Sequence, residues 1–173
     1  PGFAPEDAGV HVYAYNEMRF PNASPVQVLE ALRNAESWPD YYINAWPPSL
    51  GPSGRIEDGE TFLLRTFGST FKARATLDLP DGQTPITIAW QARNAMAHVF
   101  HRWDIHPDGL GGSVVTTEET QRGFGPWSSH WMRRILPSMR LKRALQATHF
   151  LWLLGLRAQL QGWGTRMEAR AAT

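Results

Sequence analysis

The stretch ALQATHFLWLLGLRAQLQGW, residues 144–163, sets the strongest limit on what this chain can fold into. Its apolar heart, Phe150 to Leu156, is only seven residues long and is bounded by His149 and Arg157, whereas a helix that spans a bilayer needs about 20 apolar residues. The segment is more apolar than an ordinary surface helix and too short to cross a membrane, which raises the question of what surrounds it. Leu141, Leu145, Trp152, Leu156 and Leu160 follow helical spacing on one face, widened by Phe150 and Leu154. Pro137 interrupts any helix begun near Ser128, which predicts one long terminal helix from about Ser138 to Gly162.

Between the start of the chain and this segment, β signals dominate. Strands are expected near 43–46, 60–67, 70–79, 84–92, 96–106 and 112–122, joined by PPSLGPSG, FGS, PDGQTP, RNA and PDGLGG. Such short links make neighbouring strands pair antiparallel. Phe71, Ala73, Ala75, Leu77 and Leu79 alternate with Lys72, Arg74, Thr76 and Asp78, so one face of the sheet is wet. Upstream, VHVYAYNEMRF (residues 10–20) reads as a first strand. Ser24 then caps a helix with Pro25 at its first position and Val28, Leu29 and Leu32 as the buried stripe. That helix ends near Asn34, and a further helical turn is expected around Glu36 to Tyr42.

At 173 residues with 42% apolar content, the whole chain, residues 1–173, is one globular domain. It has no Cys, which excludes disulfides and thiolate metal sites. The start, PGFAPEDAGV, lacks the features of a signal peptide, so a cytoplasmic location is expected, although a trimmed export signal would leave the same start. Fifteen of the 16 acidic residues lie at or before Glu119, and residues 120–167 carry eight Arg or Lys and no acid. This basic third is either a solvated face with acidic partners earlier in the chain or a surface for an anionic ligand or membrane.

The order of elements and two stretches of wording, ASPVQVLEALRNAESWPDYY and HRWDIHPDGLGGSVVTTEET, together with the terminal LKRALQATHFLWLLGLRAQL, resemble the START-like helix-grip superfamily. That superfamily includes polyketide cyclase and aromatase proteins and lipid-transfer domains. The resemblance covers about residues 10–162 and implies an α+β fold. In it, a curved antiparallel sheet of six to seven strands grips the long C-terminal helix, with two short helices after the first strand. It further implies a START-like ligand-binding domain with a cavity between sheet and helix. Segment 124–137 is longer than the superfamily's usual link.

Several residues are candidates for the chemistry of such a cavity. On MAHVFHRWDIHP the parity Val99, His101, Trp103, Ile105 is the more apolar and is expected inward, leaving His98, Arg102, Asp104 and His106 in water and Phe100 exposed. His101 is then either a hydrogen-bonded core histidine or a ligand-contacting or acid–base group. His98 and His101, three apart on a strand, face opposite ways and are no metal pair. With no Cys and no His-Glu-x-x-His pattern, no metal or cofactor is expected.

Of the adjacent Glu118 and Glu119, one must point inward; Glu118 is taken as the catalytic candidate with His101 and with Arg65 as the carboxylate's partner. An Arg and aromatics holding a polyketide chain is what the resemblance implies, while Arg65 on the wet face is the plain alternative. The expected ligand-binding residues are Trp38, Tyr42, Trp46, Trp90, Trp103, Phe124, Trp127, Trp131, His149, Trp152 and Leu156, wide rings with one polar edge in the main. The same rings also make ordinary core.

Two functions follow. One is the binding of a hydrophobic, aromatic or polycyclic molecule of lipid or polyketide type. The other is a cyclase, aromatase or dehydratase acting on a polyketide-like substrate in the same cavity. A peripheral membrane contact through residues 127–143 is a third reading. Nucleic-acid binding is not expected, because the basic residues are not interleaved with aromatics on a sheet surface. The sequence sets no oligomeric state.

Overall fold

A computed structural model of the chain describes residues 10–42, 45–66, 69–79, 85–95, 97–123 and 138–162. Strand β1 (Val10–Phe20) leads into helix α1 (Pro25–Arg33), one 3-10 turn (Ala35–Ser37) and the short helix α2 (Trp38–Tyr41). Six strands follow: β2 (Ala45–Ser49), β3 (Thr61–Thr66), β4 (Ser69–Asp78), β5 (Ile86–Arg93), β6 (Ala97–Pro107) and β7 (Ser113–Gly123). Helix α3 (Ser138–Gly162) closes the order. These are the expected elements, with the strand expected at 43–46 found a little later in the chain.

All strands lie in one antiparallel sheet of order β1-β7-β6-β5-β4-β3-β2. Strands β2 to β7 are neighbours in sequence and in space, as short turns require. Only β1 breaks the order. It pairs with β7 at one edge while β2 forms the other edge, so α1 and α2 carry the chain across the inner face between them.

Local chemistry explains the ends of these elements. Ser24 Oγ accepts from the Gln27 backbone N–H at 3.4 Å, and the Gln27 side chain accepts from the Ser24 N–H at 2.8 Å, a capping box ahead of Pro25. In the β6–β7 turn, Asp108 Oδ1 accepts from the backbone N–H groups of Leu110 and Gly112, each at 2.8 Å. Gly109 and Gly111 take φ of 76° and 94°, which a side chain would disfavour. Arg19 of β1 pairs with the second Asp108 oxygen at 3.0 Å and pins the turn to the edge strand.

The inner face follows the expected parity on most strands. Ala73 and Ala75 of β4 and Val99, His101, Trp103 and Ile105 of β6 are buried, together with Val28, Leu29 and Leu32 of α1. Three expectations need correction. Leu79 lies just past the end of β4 and is half exposed, while Phe100 is half-buried and not exposed. On α3 the buried face is His149, Trp152, Leu153 and Leu156, whereas Phe150, Leu151 and Leu154 are 47%, 49% and 45% exposed. Phe150 and Leu154 thus do not widen the gripped face. The spacing i, i+3, i+4, i+7 starts from His149, a polar residue that an apolar-only reading of the stripe passes over.

Helix α3 lies against β1 and meets α1 and α2. A Cβ on Gly155 would fall 2.0 Å from the Tyr41 carbonyl oxygen, so only glycine permits this approach. Gly155→Ala is expected to cost about 1–3 kcal/mol in urea unfolding, the range for overpacking a tight contact. Leu154→Ala, on the exposed face, is expected to cost less than about 0.5 kcal/mol.

Candidate functional site

The inner face is organised around Trp152. Its ring stacks on Tyr42 with centroids 4.2 Å apart and 3° between planes. It meets Trp103 and Trp38 edge-on at 4.9 and 5.2 Å, and His101 at 5.4 Å. Trp38 is held by a hydrogen bond from its Nε1–H to the Leu32 carbonyl at 3.0 Å and lies 5.3 Å from Trp90. These rings come from α2 and the residue that caps it, and from β5, β6 and α3, and together they fill one end of the space between sheet and helices.

The other end is hollow. A pocket of about 280 Å³ is bounded by Leu64, Thr66, Ser69 and Phe71 from β3 and β4 and by Trp90, Ala92 and Val99 from β5 and β6. His101, Glu119 and Gln121 continue the sheet wall, and Tyr42, Ala144, His149 and Trp152 close it from the helices. Thr66, Ser69, Ala92 and Ala144 are short side chains, and the space they leave is the pocket.

Three buried polar groups meet in its wall. Register sets them: Ala14, Glu119, His101, Trp90 and Ala75 form one row across β1, β7, β6, β5 and β4. His149 comes down from α3, with its Nε2 3.0 Å from Glu119 Oε2. His101 Nδ1 lies 3.6 Å from the same oxygen, and its Nε2 is 2.8 Å from the Thr117 hydroxyl. The Gln121 amide donates to Glu119 Oε1 at 2.5 Å.

Burial pushes His101 down to about 3; nearby His149 acts in the same direction and Glu119 opposes it. Burial also acts to raise Glu119. The attraction of His149, its hydrogen bond and the pull of His101 and Gln121 outweigh this, so the carboxyl sits below its ordinary value. With the carboxylate ionised, His149 Nε2–H is the donor, and His149 Nδ1 is buried with no partner among the described residues.

The expected site residues fall into three groups. Trp38, Tyr42, Trp90, Trp103, His101, His149, Trp152 and Leu156 are all buried on the inner side, and five of them bound the pocket: Tyr42, Trp90, His101, His149 and Trp152. Three placements are corrected. Glu118 is on the outer face, where Tyr13 Oη donates to it at 3.4 Å, and Glu119 takes the inward place because it shares parity with Val115 and Thr117. Arg65 is exposed, since Phe62 and Leu64 are the buried parity of β3. Trp46, its cross-strand neighbour on the edge strand β2, is 61% exposed. Phe124, Trp127 and Trp131 lie outside the described residues, as does most of the segment 127–143. Of the two adjacent glutamates Glu119 is the inward one, and its neighbour Gln121, two residues on in the same parity, carries no signal in the sequence that marks it out.

No protein family matches the chain by sequence, and no curated protein matches it. Solved structures do match. A hypothetical protein from Helicobacter pylori shares 21% identity over 90% of this chain and 92% of its own, with a TM-score of 0.72. A START superfamily protein from Mycobacterium smegmatis shares 13% identity, with coverage of 86% and 97% and a TM-score of 0.61. The chain has the START-like helix-grip fold. The di-domain ARO/CYC protein StfQ from the steffimycin biosynthetic pathway is also similar, at 18% identity and a TM-score of 0.62, over 94% of this chain and 54% of that one. In helix-grip terms, α3 is the gripped helix and the pocket lies between it and the sheet. Among the described residues no helix is long and apolar enough to cross a membrane.

Because His101 is neutral when folded, with a pKa of about 3 against an ordinary 6.5, only the unfolded chain takes up its proton in between. This group therefore favours unfolding increasingly as pH falls from about 6.5 toward 3. In chelator-treated protein, the His101 ring nitrogens are expected to keep the NMR shifts of a neutral imidazole from pH 8 to pH 5. A titration midpoint within that window would contradict the geometry.

Proposed function

We propose that the protein binds a small, flat, hydrophobic molecule of aromatic or polycyclic type, lipid- or polyketide-derived, in the pocket beneath α3. The observation that carries this reading is the makeup of the pocket wall. Trp90, Trp152, Tyr42 and Phe71 supply broad apolar faces, and His101, Glu119, His149 and Gln121 supply polar atoms at one side. Ligand sites are typically apolar clefts with a few convergent polar groups. A volume of about 280 Å³ is at the small end of the range, which suits one or two fused rings better than a long acyl chain. The shared fold with a START superfamily protein and with StfQ is consistent with a ligand-holding interior.

A second reading makes the pocket an enzyme site in which a polyketide-like chain closes a ring by intramolecular aldol addition and loses water. One observation favours it: the buried trio of His101, Glu119 and His149 lies in the wall, where polar atoms can hold a reacting carbonyl in place. In this reading Glu119 replaces Glu118, and Arg65 has no part.

Isothermal titration with 2-naphthol tests the binding reading. Saturable binding near the micromolar range is expected, weakened at least tenfold by Ala92→Trp, which fills the pocket, and changed less than twofold by Arg65→Ala or Trp46→Ala. Equal binding by the Ala92→Trp protein would refute it. The enzyme reading predicts that His101→Ala abolishes cyclisation of a poly-β-ketothioester while leaving 2-naphthol binding within a few-fold; no turnover by the wild-type protein ends that reading alone.

A further inference from the structure

We propose that His101, Glu119 and His149 form a site for one divalent first-row transition-metal ion, of the zinc or ferrous kind, set in the wall of the pocket. The three residues come from β6, β7 and α3, and their ligand atoms all lie within 4.8 Å of one another. The two closest spans, 3.0 Å from His149 Nε2 and 3.6 Å from His101 Nδ1 to the shared Glu119 oxygen, decide the scale. With bonds of about 2.1 Å to a common ion, two ligand atoms stand about 3.0 Å apart at a right angle and about 3.4 Å apart at a tetrahedral angle. The imidazole centres are 4.6 Å apart, close to the roughly 4.5 Å of two rings on adjacent positions of one ion. Their planes differ by 24° and the rings stack, so holding an ion would require each ring to turn about its Cβ–Cγ bond to bring its lone pair onto it.

The atoms behind the trio are arranged as a metal site requires. Thr117 Oγ1 engages His101 Nε2, which leaves Nδ1 facing Glu119, and Gln121 engages Glu119 Oε1, which leaves Oε2 at the point of convergence. Such outer bonds orient the ligands of metal centres. All three side chains are buried, with His101 and His149 at 2% and Glu119 at 8% exposure. Among the described residues the groups of basic type beside this carboxylate are imidazoles, and a divalent ion would neutralise it far better in a low-dielectric wall.

Three protein donors leave coordination positions open, and because all three residues bound the pocket, an open position faces it. A hydroxyl or carbonyl oxygen on a flat ligand would occupy that position. The metal site rests on the trio alone; only its use by an organic ligand rests on the binding reading above. Two imidazoles and a carboxylate suit zinc, iron(II), cobalt(II) or nickel(II) rather than magnesium or calcium.

The test uses untagged, chelator-treated protein titrated with Co²⁺ and with Zn²⁺, followed by calorimetry and by the visible absorption of bound Co²⁺. One equivalent per chain is expected, with the intense d–d bands of four- or five-coordinate Co²⁺. Glu119→Gln and His149→Gln should each weaken binding by about 100-fold or more, and Thr117→Val by about tenfold. His98→Ala and His106→Ala should leave it unchanged. Binding of less than a fifth of an equivalent by wild-type protein overturns the proposal, as does binding that survives both trio variants or that is lost with His98 or His106. Should a trio variant fail to fold, the wild-type stoichiometry and spectrum still decide. Ala92→Trp separates the two proposals, since it should weaken 2-naphthol binding at least tenfold and spare Co²⁺.

Discussion

The packing of Trp152 against Tyr42, Trp38 and Trp103 is the contact on which the rest of the structure depends. It joins the terminal helix to the short helix α2 and to the middle of the sheet through one side chain. Aromatic pairs of this kind contribute about 0.5–1.5 kcal/mol each beyond the area they bury. The contact requires Gly155, because any larger residue would push α3 off the Tyr41 carbonyl and lift Trp152 out of its stack. A helix with a short apolar heart is thereby held on a sheet that has only one apolar face.

The same packing explains why the interior is filled at one end and hollow at the other. Four tryptophans and Phe62 crowd together on the side of α2, where Ala73 and Ala75 leave room for them in the sheet. Toward Thr66, Ser69, Ala92 and Ala144 the side chains are short, and among the described residues no ring bridges from sheet to helix there. Glu119, His101 and His149 stand at the boundary between these halves. Burying a carboxylate there is costly unless its partners are well placed, and the hydrogen bonds from His149 and Gln121 supply them.

Much of this fold was legible in the sequence, and the limits of that reading have physical causes. Ser24, Pro25 and the alternation on β4 and β6 are local signals that tertiary packing had no reason to override. Arg65 was ambiguous because Leu63 and Phe67 are as apolar as Phe62 and Leu64, so parity on β3 could not be read from composition alone. Trp46 failed differently. It lies on an edge strand broken by Pro47 and Pro48, where the ladder to β3 shifts register and an outward aromatic is tolerated. The choice between Glu118 and Glu119 turned on one residue of register, to which period-two structure is unforgiving. The trio itself could not be seen in any motif, since its members are 18 and 30 residues apart and meet only when α3 docks.

The central claim is that a hollow remains between Trp90, Ala92, Val99 and Ala144 when α3 is in place. Methyl NMR of the protein under xenon pressure measures this without assuming any ligand, because xenon enters apolar cavities that water leaves dry. The account predicts saturable shifts concentrated on the methyl groups of Leu64, Ala92, Val99 and Ala144. Shifts spread evenly over the surface, or confined to Leu63, Leu151 and Leu154 on the outer faces, would contradict it.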